Sequence, residues 1–298
     1  MQPIYSTVPR EFFWRRLHSL AGLWLTAFLT VHLFTNSQAA SLLSEDKTGF
    51  IKSANSIHNL PYLVVIEIFL LAIPFFVHIV WGIQYLRTGK FNSYTTNGTD
   101  PSLSEYPRNH AYTWQRITSW ILLVFVMGHV LQMRFLEAPI KVQGTETSYV
   151  IALHADPTLP DLAHRLGVEL YDPSQIATFQ KDPSIHSHAS WAHSLAGIDL
   201  HPGQVVAVAH TFGESELLMV RESFKNPLML VLYTLFVLSA CFHGFNGLWT
   251  FCITWGLTLS VTSQKWMRCL SVTLMAIVTA FGLIAIWGTY FSLIVGSI

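Results

Sequence analysis

Charge is what this 298-residue chain has least of. Asp, Glu, Lys and Arg make up 11% of it, against about 25% in an ordinary soluble domain. Seventeen basic residues meet seventeen acidic ones, so no net field recruits a polyanion and nucleic-acid binding is excluded. Cysteine is scarce as well. Cys241, Cys252 and Cys269 lie in or beside apolar segments and form no CxxC pair, zinc spacing or disulfide framework. Internal repeats and low-complexity tracts are missing. With 51% hydrophobic residues, the chain has too little charge to coat a globule of its size, and too much apolar surface to stay disordered.

Long apolar runs and fourteen histidines stand in their place. A bilayer core takes about 20 apolar residues per helix. Five segments qualify: Leu17–Asn36, Leu60–Leu86, Trp114–Leu136, Pro227–Phe251 and Met267–Ile298. The runs are continuous, not alternating, which excludes a β-barrel and predicts an all-α membrane protein of five transmembrane helices. Arg15-Arg16 before the first run and Ser37-Gln38-Ala39 after it imitate a signal peptide. The run is long for that role and four further spans follow, so it is read as a membrane helix.

Lys and Arg in the loops give the orientation. Arg10, Arg15 and Arg16, then Arg87, Lys90, Arg108 and Arg116, then Lys265 and Arg268 fall on one side, which is read as inside. On the other side Lys47 and Lys52 are offset by Glu45 and Asp46. The N-terminus is therefore expected inside and the C-terminus outside. The expected organisation is helices one to three in residues 1–136, an outer loop or cap in 137–226, and helices four and five in 227–298. Pro157, Pro160, Pro173, Pro183 and Pro202 are among the prolines of the loop, whose apolar patterning is weak, for example Val205–Val208. Helical pieces are expected there.

Four spans each contain one deep histidine: His32, His78, His129 and His243. An ionisable side chain in a span is costly and is a functional candidate by default. His32 and His129 lie late on rising helices, ~22 Å from the inner surface, while His78 and His243 lie late on falling helices, ~12 Å from it. Two levels of two imidazoles suit two bis-histidine haems of b type, since no CxxCH offers covalent attachment. Small residues flank the ligands at Gly82, Gly128, Gly244 and Gly247, and Pro74 is expected to kink helix two. A single such histidine is as readily an interhelical hydrogen bond. Four, one per helix and paired by depth, fit that reading poorly. Zinc or copper transport fits less well, with no deep carboxylate or thiolate joining the pairs. Helix five, without a histidine, is read as packing.

Several stretches resemble a known family. They are Arg15-Arg16-Leu17-His18-Ser19-Leu20-Ala21-Gly22 with Val31-His32-Leu33, Ile73-Pro74-Phe75-Phe76-Val77-His78 with Trp81-Gly82, and Arg108-Asn109 through Trp114-Gln115-Arg116. The most specific is His243-Gly244-Phe245-Asn246-Gly247-Leu248-Trp249, running into Thr254-Trp255-Gly256 and Ser263-Gln264. Together they resemble the dihaem cytochrome b membrane anchor of succinate dehydrogenases and fumarate reductases, in the branch with one large anchor subunit (type B). The resemblance implies two haems b, the proximal on His78 and His243 and the distal on His32 and His129. It also implies partner subunits carrying FAD and iron–sulfur clusters, a membrane quinone (menaquinone or ubiquinone) as substrate, and a bacterial cytoplasmic membrane as the location. Two departures stand out. The outer loop of ~90 residues is far longer than usual. Cys241 also occupies the position where the fumarate-reducing branch commonly has glutamate, which points toward succinate oxidation.

Lesser candidates have two readings each. Glu67, the carboxylate inside a span, is either a proton-exchange group near the quinone or an interhelically bonded side chain. Arg134 either pairs with haem propionates or anchors the outer interface. Arg15, Arg16, His18 and Ser19 either meet propionates, quinone or the iron–sulfur subunit, or contact lipid headgroups. His154, His164, His186, His188, His193, His201 and His210 are read as solvated loop residues, His58 and His110 as interfacial. Two other functions remain open: the anchor of another dihaem complex, of hydrogenase or formate dehydrogenase type, and a haem-free carrier with a histidine relay.

Overall fold

The computed structural model describes residues 9–40, 47–89, 93–94, 103–143, 147–181 and 200–295. Five of its helices are long and apolar enough to cross a membrane: Arg10–Ser37, Leu63–Thr88, Pro107–Leu136, Pro227–Thr254 and Val261–Ile294. Each overlaps an expected span and most extend it by a turn or two, because helix continues past the apolar stretch into the polar ends. Large apolar side chains cover their outer faces; Phe76 and Val124 are each 69% exposed. Lipid, not water, is the solvent that tolerates such a surface.

Just before Pro74, where a kink is expected, the structure shows a π-helical turn. Proline has no N–H, so the carbonyl four residues back, that of Leu70, loses its helical partner. The preceding turn, Ile68–Ala72, widens into a π-helix. The Trp24 indole N–H then donates to the Leu70 carbonyl at 2.6 Å. A backbone acceptor that lipid cannot satisfy is thus satisfied from helix one.

Packing divides the chain into two compact units. One comprises Met1–Leu33, Tyr62–Val126 and Leu235–Ala280, the other Phe34–Pro61, Met127–Thr234 and Phe281–Ile298. The second unit holds the connection between the third and fourth of these helices, which forms more than the helical pieces expected of it. It forms a four-stranded antiparallel sheet in the order β1-β2-β4-β3. The strands are β1 (Ile140–Gln143), β2 (Thr147–His154), β3 (Glu169–Tyr171) and β4 (Gln204–Ala209). Val205–Val208 lie in β4, a central strand, and Val206 to Ala209 are all buried. A strand covered on both faces needs such an unbroken apolar run. Val142, Val150, Ile176, Val206 and Val208 form one core cluster.

Helix Phe212–Ser223 packs on β2 and on helix Thr48–His58. It starts with a capping box: the Thr211 hydroxyl accepts from the Glu214 N–H, and the Glu214 carboxylate accepts from the Thr211 N–H. Gly213 permits the close approach, since a Cβ there would stand 2.5 Å from the Ile51 carbonyl oxygen. Its N–H donates to Asn55 at 2.7 Å.

Candidate haem-binding site

Within the first unit His78, on the helix after Pro74, and His243, on helix Pro227–Thr254, have ring centroids 6.0 Å apart and nearly perpendicular planes, at 81°. Metal–imidazole bonds of about 2 Å, one on each side of an ion, place two ring centres at roughly this separation. The hydrogen bonds settle which nitrogen is available. His78 Nδ1 lies 3.1 Å from the His18 carbonyl, and His243 Nδ1 lies 3.3 Å from the Gln115 carbonyl. A carbonyl only accepts, so each Nδ1 carries the proton and each Nε2 keeps its lone pair. That is the tautomer of an iron ligand whose ring is oriented by a carbonyl at Nδ1.

His18 is brought into the same group. Its ring stacks on that of His78 at 4.0 Å, and its Nδ1 donates to the His78 carbonyl at 3.1 Å. Gly22 lies against the His78 ring: a Cβ there would stand 2.9 Å from His78 Cε1. Gln115 holds the other side. Its amide donates to the His243 carbonyl at 3.0 Å and its side-chain oxygen accepts from Asn246 at 2.8 Å. Thr118 and Ser119 hydroxyls stand 3.5 and 3.4 Å from His243 Nδ1. The Trp114-Gln115-Arg116 motif was the only signal for this latch. The indole N–H groups of Trp81 and Trp249 are buried without a partner among the described residues, and they suit acidic acceptors such as propionates. Arg15 donates to the Tyr85 hydroxyl at 3.2 Å. Ser19 is half-buried in the same helix as His18.

The other two deep histidines fall in different units, His32 in the first and His129 in the second. His32 stacks on Phe28 at 5.4 Å. His129 Nδ1 lies 3.2 Å from the Tyr233 hydroxyl. Tyr233 spends its single proton on Gln132 at 2.9 Å, so it accepts from His129 Nδ1. Gln132 in turn donates to Glu137 at 2.8 Å, and Glu137 accepts from Ser223 at 2.6 Å. Glu67 is half-buried, at the last residue before the π turn of helix two. Arg134 is exposed and faces Glu216. Burial pushes the Glu216 carboxyl up to about 7 despite that cation.

Other histidines take structural places. His58 stacks on Phe212 at 4.0 Å and its Nε2 meets the Tyr149 hydroxyl at 3.1 Å, within the packing of the second unit. His110 bonds the Ser104 carbonyl. His154 pairs with Glu222 at 2.5 Å. His164 is exposed. His201 and His210 donate their backbone N–H groups to Gln204 and Glu214. His186, His188 and His193 lie outside the described residues. Among the described residues no group of three or more His, Cys, Asp or Glu is placed to hold a metal ion. Two histidines alone can fill the two axial positions of a haem iron.

Five apolar helices with imidazoles held in the ligand tautomer define the class: an integral membrane protein with the donor pattern of a b-type cytochrome. The chain is similar to the "Succinate dehydrogenase cytochrome b558 subunit" of Bacillus subtilis (strain 168), at 26% identity over 280 residues. The match covers 93% of this chain and 96% of that protein, so the resemblance read from the sequence is borne out along nearly its whole length. No protein-family model matches, and no solved structure matches.

Proposed function

We propose that this chain is the membrane-anchor cytochrome b subunit of a succinate dehydrogenase, in a bacterial cytoplasmic membrane with its N-terminus inside. The observation that carries the proposal is the His78–His243 pair: rings 6.0 Å apart, each Nδ1 committed to a carbonyl. His78 and His243 hold the proximal haem b, and His32 and His129 the distal one. Bound there, the haems carry single electrons across the span. The chain's own contribution is to hold the imidazoles, exclude water and pass protons. His18, Ser19, Arg15 and Arg134 serve propionates or quinone. Residues 1–136 and 227–298 form the membrane part and 137–226 the outer cap. A flavoprotein and an iron–sulfur subunit dock on the inner side, and a membrane quinone accepts the electrons. Cys241, in place of glutamate, favours the direction of succinate oxidation.

The reading is tested on the complex purified from membranes. Low-spin b-type bands in a reduced-minus-oxidised spectrum, with co-purification of a flavoprotein and an iron–sulfur protein, are expected. A spectrum without those bands overturns it in favour of a histidine-relay carrier. Co-purification with a hydrogenase or molybdenum subunit reassigns the complex.

Quinone reduction takes protons as well as electrons, and Glu67 supplies them at the outer half of helix two. Glu67→Gln is expected to keep both haem spectra and to slow succinate-to-quinone turnover about tenfold or more. Reduction of an artificial dye by the soluble subunits should persist. Unchanged quinone turnover makes Glu67 structural, and loss of a haem makes it a packing residue.

A further inference from the structure

The second unit contains a cavity of about 420 Å³ that no part of the electron path uses. Lys47, Arg165, Arg221 and His164 line it, with Asp161, Thr158 and Ser292. The charges do not balance. Arg221 is neutralised by Asp156, which it grips with both terminal nitrogens. Among the described residues of the lining, Asp161 is the one carboxylate set against Lys47 and Arg165.

Lys47 is the unusual member. Its side chain is 4% exposed, and it makes no hydrogen bond or ion pair with any described residue. Its backbone is left-handed, at φ 51°, a conformation that costs a residue with a Cβ. Burial, together with Arg221 and Arg165, pulls its ammonium down to about 8. A buried cation without a counterion is expensive, and an anion in the cavity removes that cost. Other buried cations of the unit are already served: Arg221 has Asp156, and Lys225 has Asp156 and Glu222.

We propose that this cavity binds a phosphate group, held by the Lys47 ammonium and the Arg165 guanidinium. The chemistry of the lining favours phosphate over a carboxylate. The volume exceeds what a small carboxylate fills, and a guanidinium fork beside an ammonium matches an oxyanion with several acceptor oxygens. The position favours a source in the membrane. Ser292 lies in the last turns of the fifth span, and Lys47 lies ten residues beyond the end of the first. The cavity is thus lined from a span end, where the headgroup of an anionic phospholipid resides. A free phosphate has the same chemistry. The site is independent of the haems and stands or falls without them.

The test is native mass spectrometry of the intact purified complex, titrated separately with phosphatidylglycerol and with inorganic phosphate. Lys47→Gln and Arg165→Gln are compared with the wild type. One probe is expected to give a tightly held adduct on the wild type that falls about tenfold in both variants, the loss expected for one charge-assisted contact. An adduct of phosphatidylglycerol alone identifies a lipid site, and one of inorganic phosphate a soluble anion site. Should Lys47→Gln fail to fold, Arg165→Gln decides, because Arg165 is exposed and its loss leaves the packing intact. Equal occupancy of wild type and variants with both probes overturns the proposal.

Discussion

His78→Ala and His243→Ala are expected to erase one and the same haem, while His32→Ala and His129→Ala erase the other. Each replacement removes an Nε2 donor, and one remaining imidazole does not hold six-coordinate, low-spin iron. The measurement is haem extracted per complex, together with the components of a reduced-minus-oxidised spectrum. The expected loss is half of the haem in every single variant. Gly22→Ala should copy His78→Ala without touching a ligand. Its methyl would stand 2.9 Å from His78 Cε1, and the ring is fixed at Nδ1 by the His18 carbonyl, so it must leave its place. If His32→Ala and His78→Ala remove the same component, the pairing proposed here is wrong. Normal haem content in Gly22→Ala would show that the ring has room that the packing does not predict.

Asp156→Asn is expected to unfold the second unit locally at a cost of about 3 kcal/mol or more. Arg221 is 3% exposed, and its two terminal nitrogens meet the Asp156 oxygens at 2.8 and 2.5 Å. Lys225 adds a contact to the same carboxylate at 2.9 Å and bonds the His154 carbonyl. An asparagine keeps the shape but turns an amino group toward the guanidinium and leaves a buried charge unanswered. The acid limit follows from the same contacts. Burial alone would raise the Asp156 pKa, but the hydrogen bonds from Arg221, Lys225 and Thr158 outweigh it and hold the carboxyl well below its usual 3.8. The folded state therefore gives up this proton more readily than the unfolded one. The stabilisation is complete above the usual carboxylate range and is lost as pH falls through the depressed value. Proteolysis of the connection between helices three and four, followed from neutral to acidic pH, reads both effects. Protease resistance equal to the wild type in the Asn variant would remove Asp156 from the unit's foundation.

The membrane part was legible because a bilayer imposes a coarse code. Twenty apolar residues make a helix there whatever their neighbours do, and a histidine among them stands out. Pro74 announced a kink, yet not that the widened turn lies on its N-terminal side, because that depends on which donor reaches the freed Leu70 carbonyl. Gln115 was invisible as a latch: its partners, His243 and Asn246, are more than 120 positions away. The sheet escaped for another reason. β3 has three residues and β1 four, too few for alternation to register. Only β4, buried on both faces, left the Val205–Val208 run. Lys47 read as a loop charge, since sequence carries no sign of which loop residues will be covered.

The bond between Trp24 and Leu70 also bears on how the protein enters its membrane. Alone in lipid, helix two carries a carbonyl that no solvent satisfies, and helix one carries an indole N–H in the same position. Each is a poor solitary span, and together they cancel the defect. The first two helices are thus best regarded as a single hairpin of biogenesis, whose second member becomes a comfortable resident of the bilayer only beside the first. His78 sits eight residues past Leu70, on a backbone that this joint sets in place.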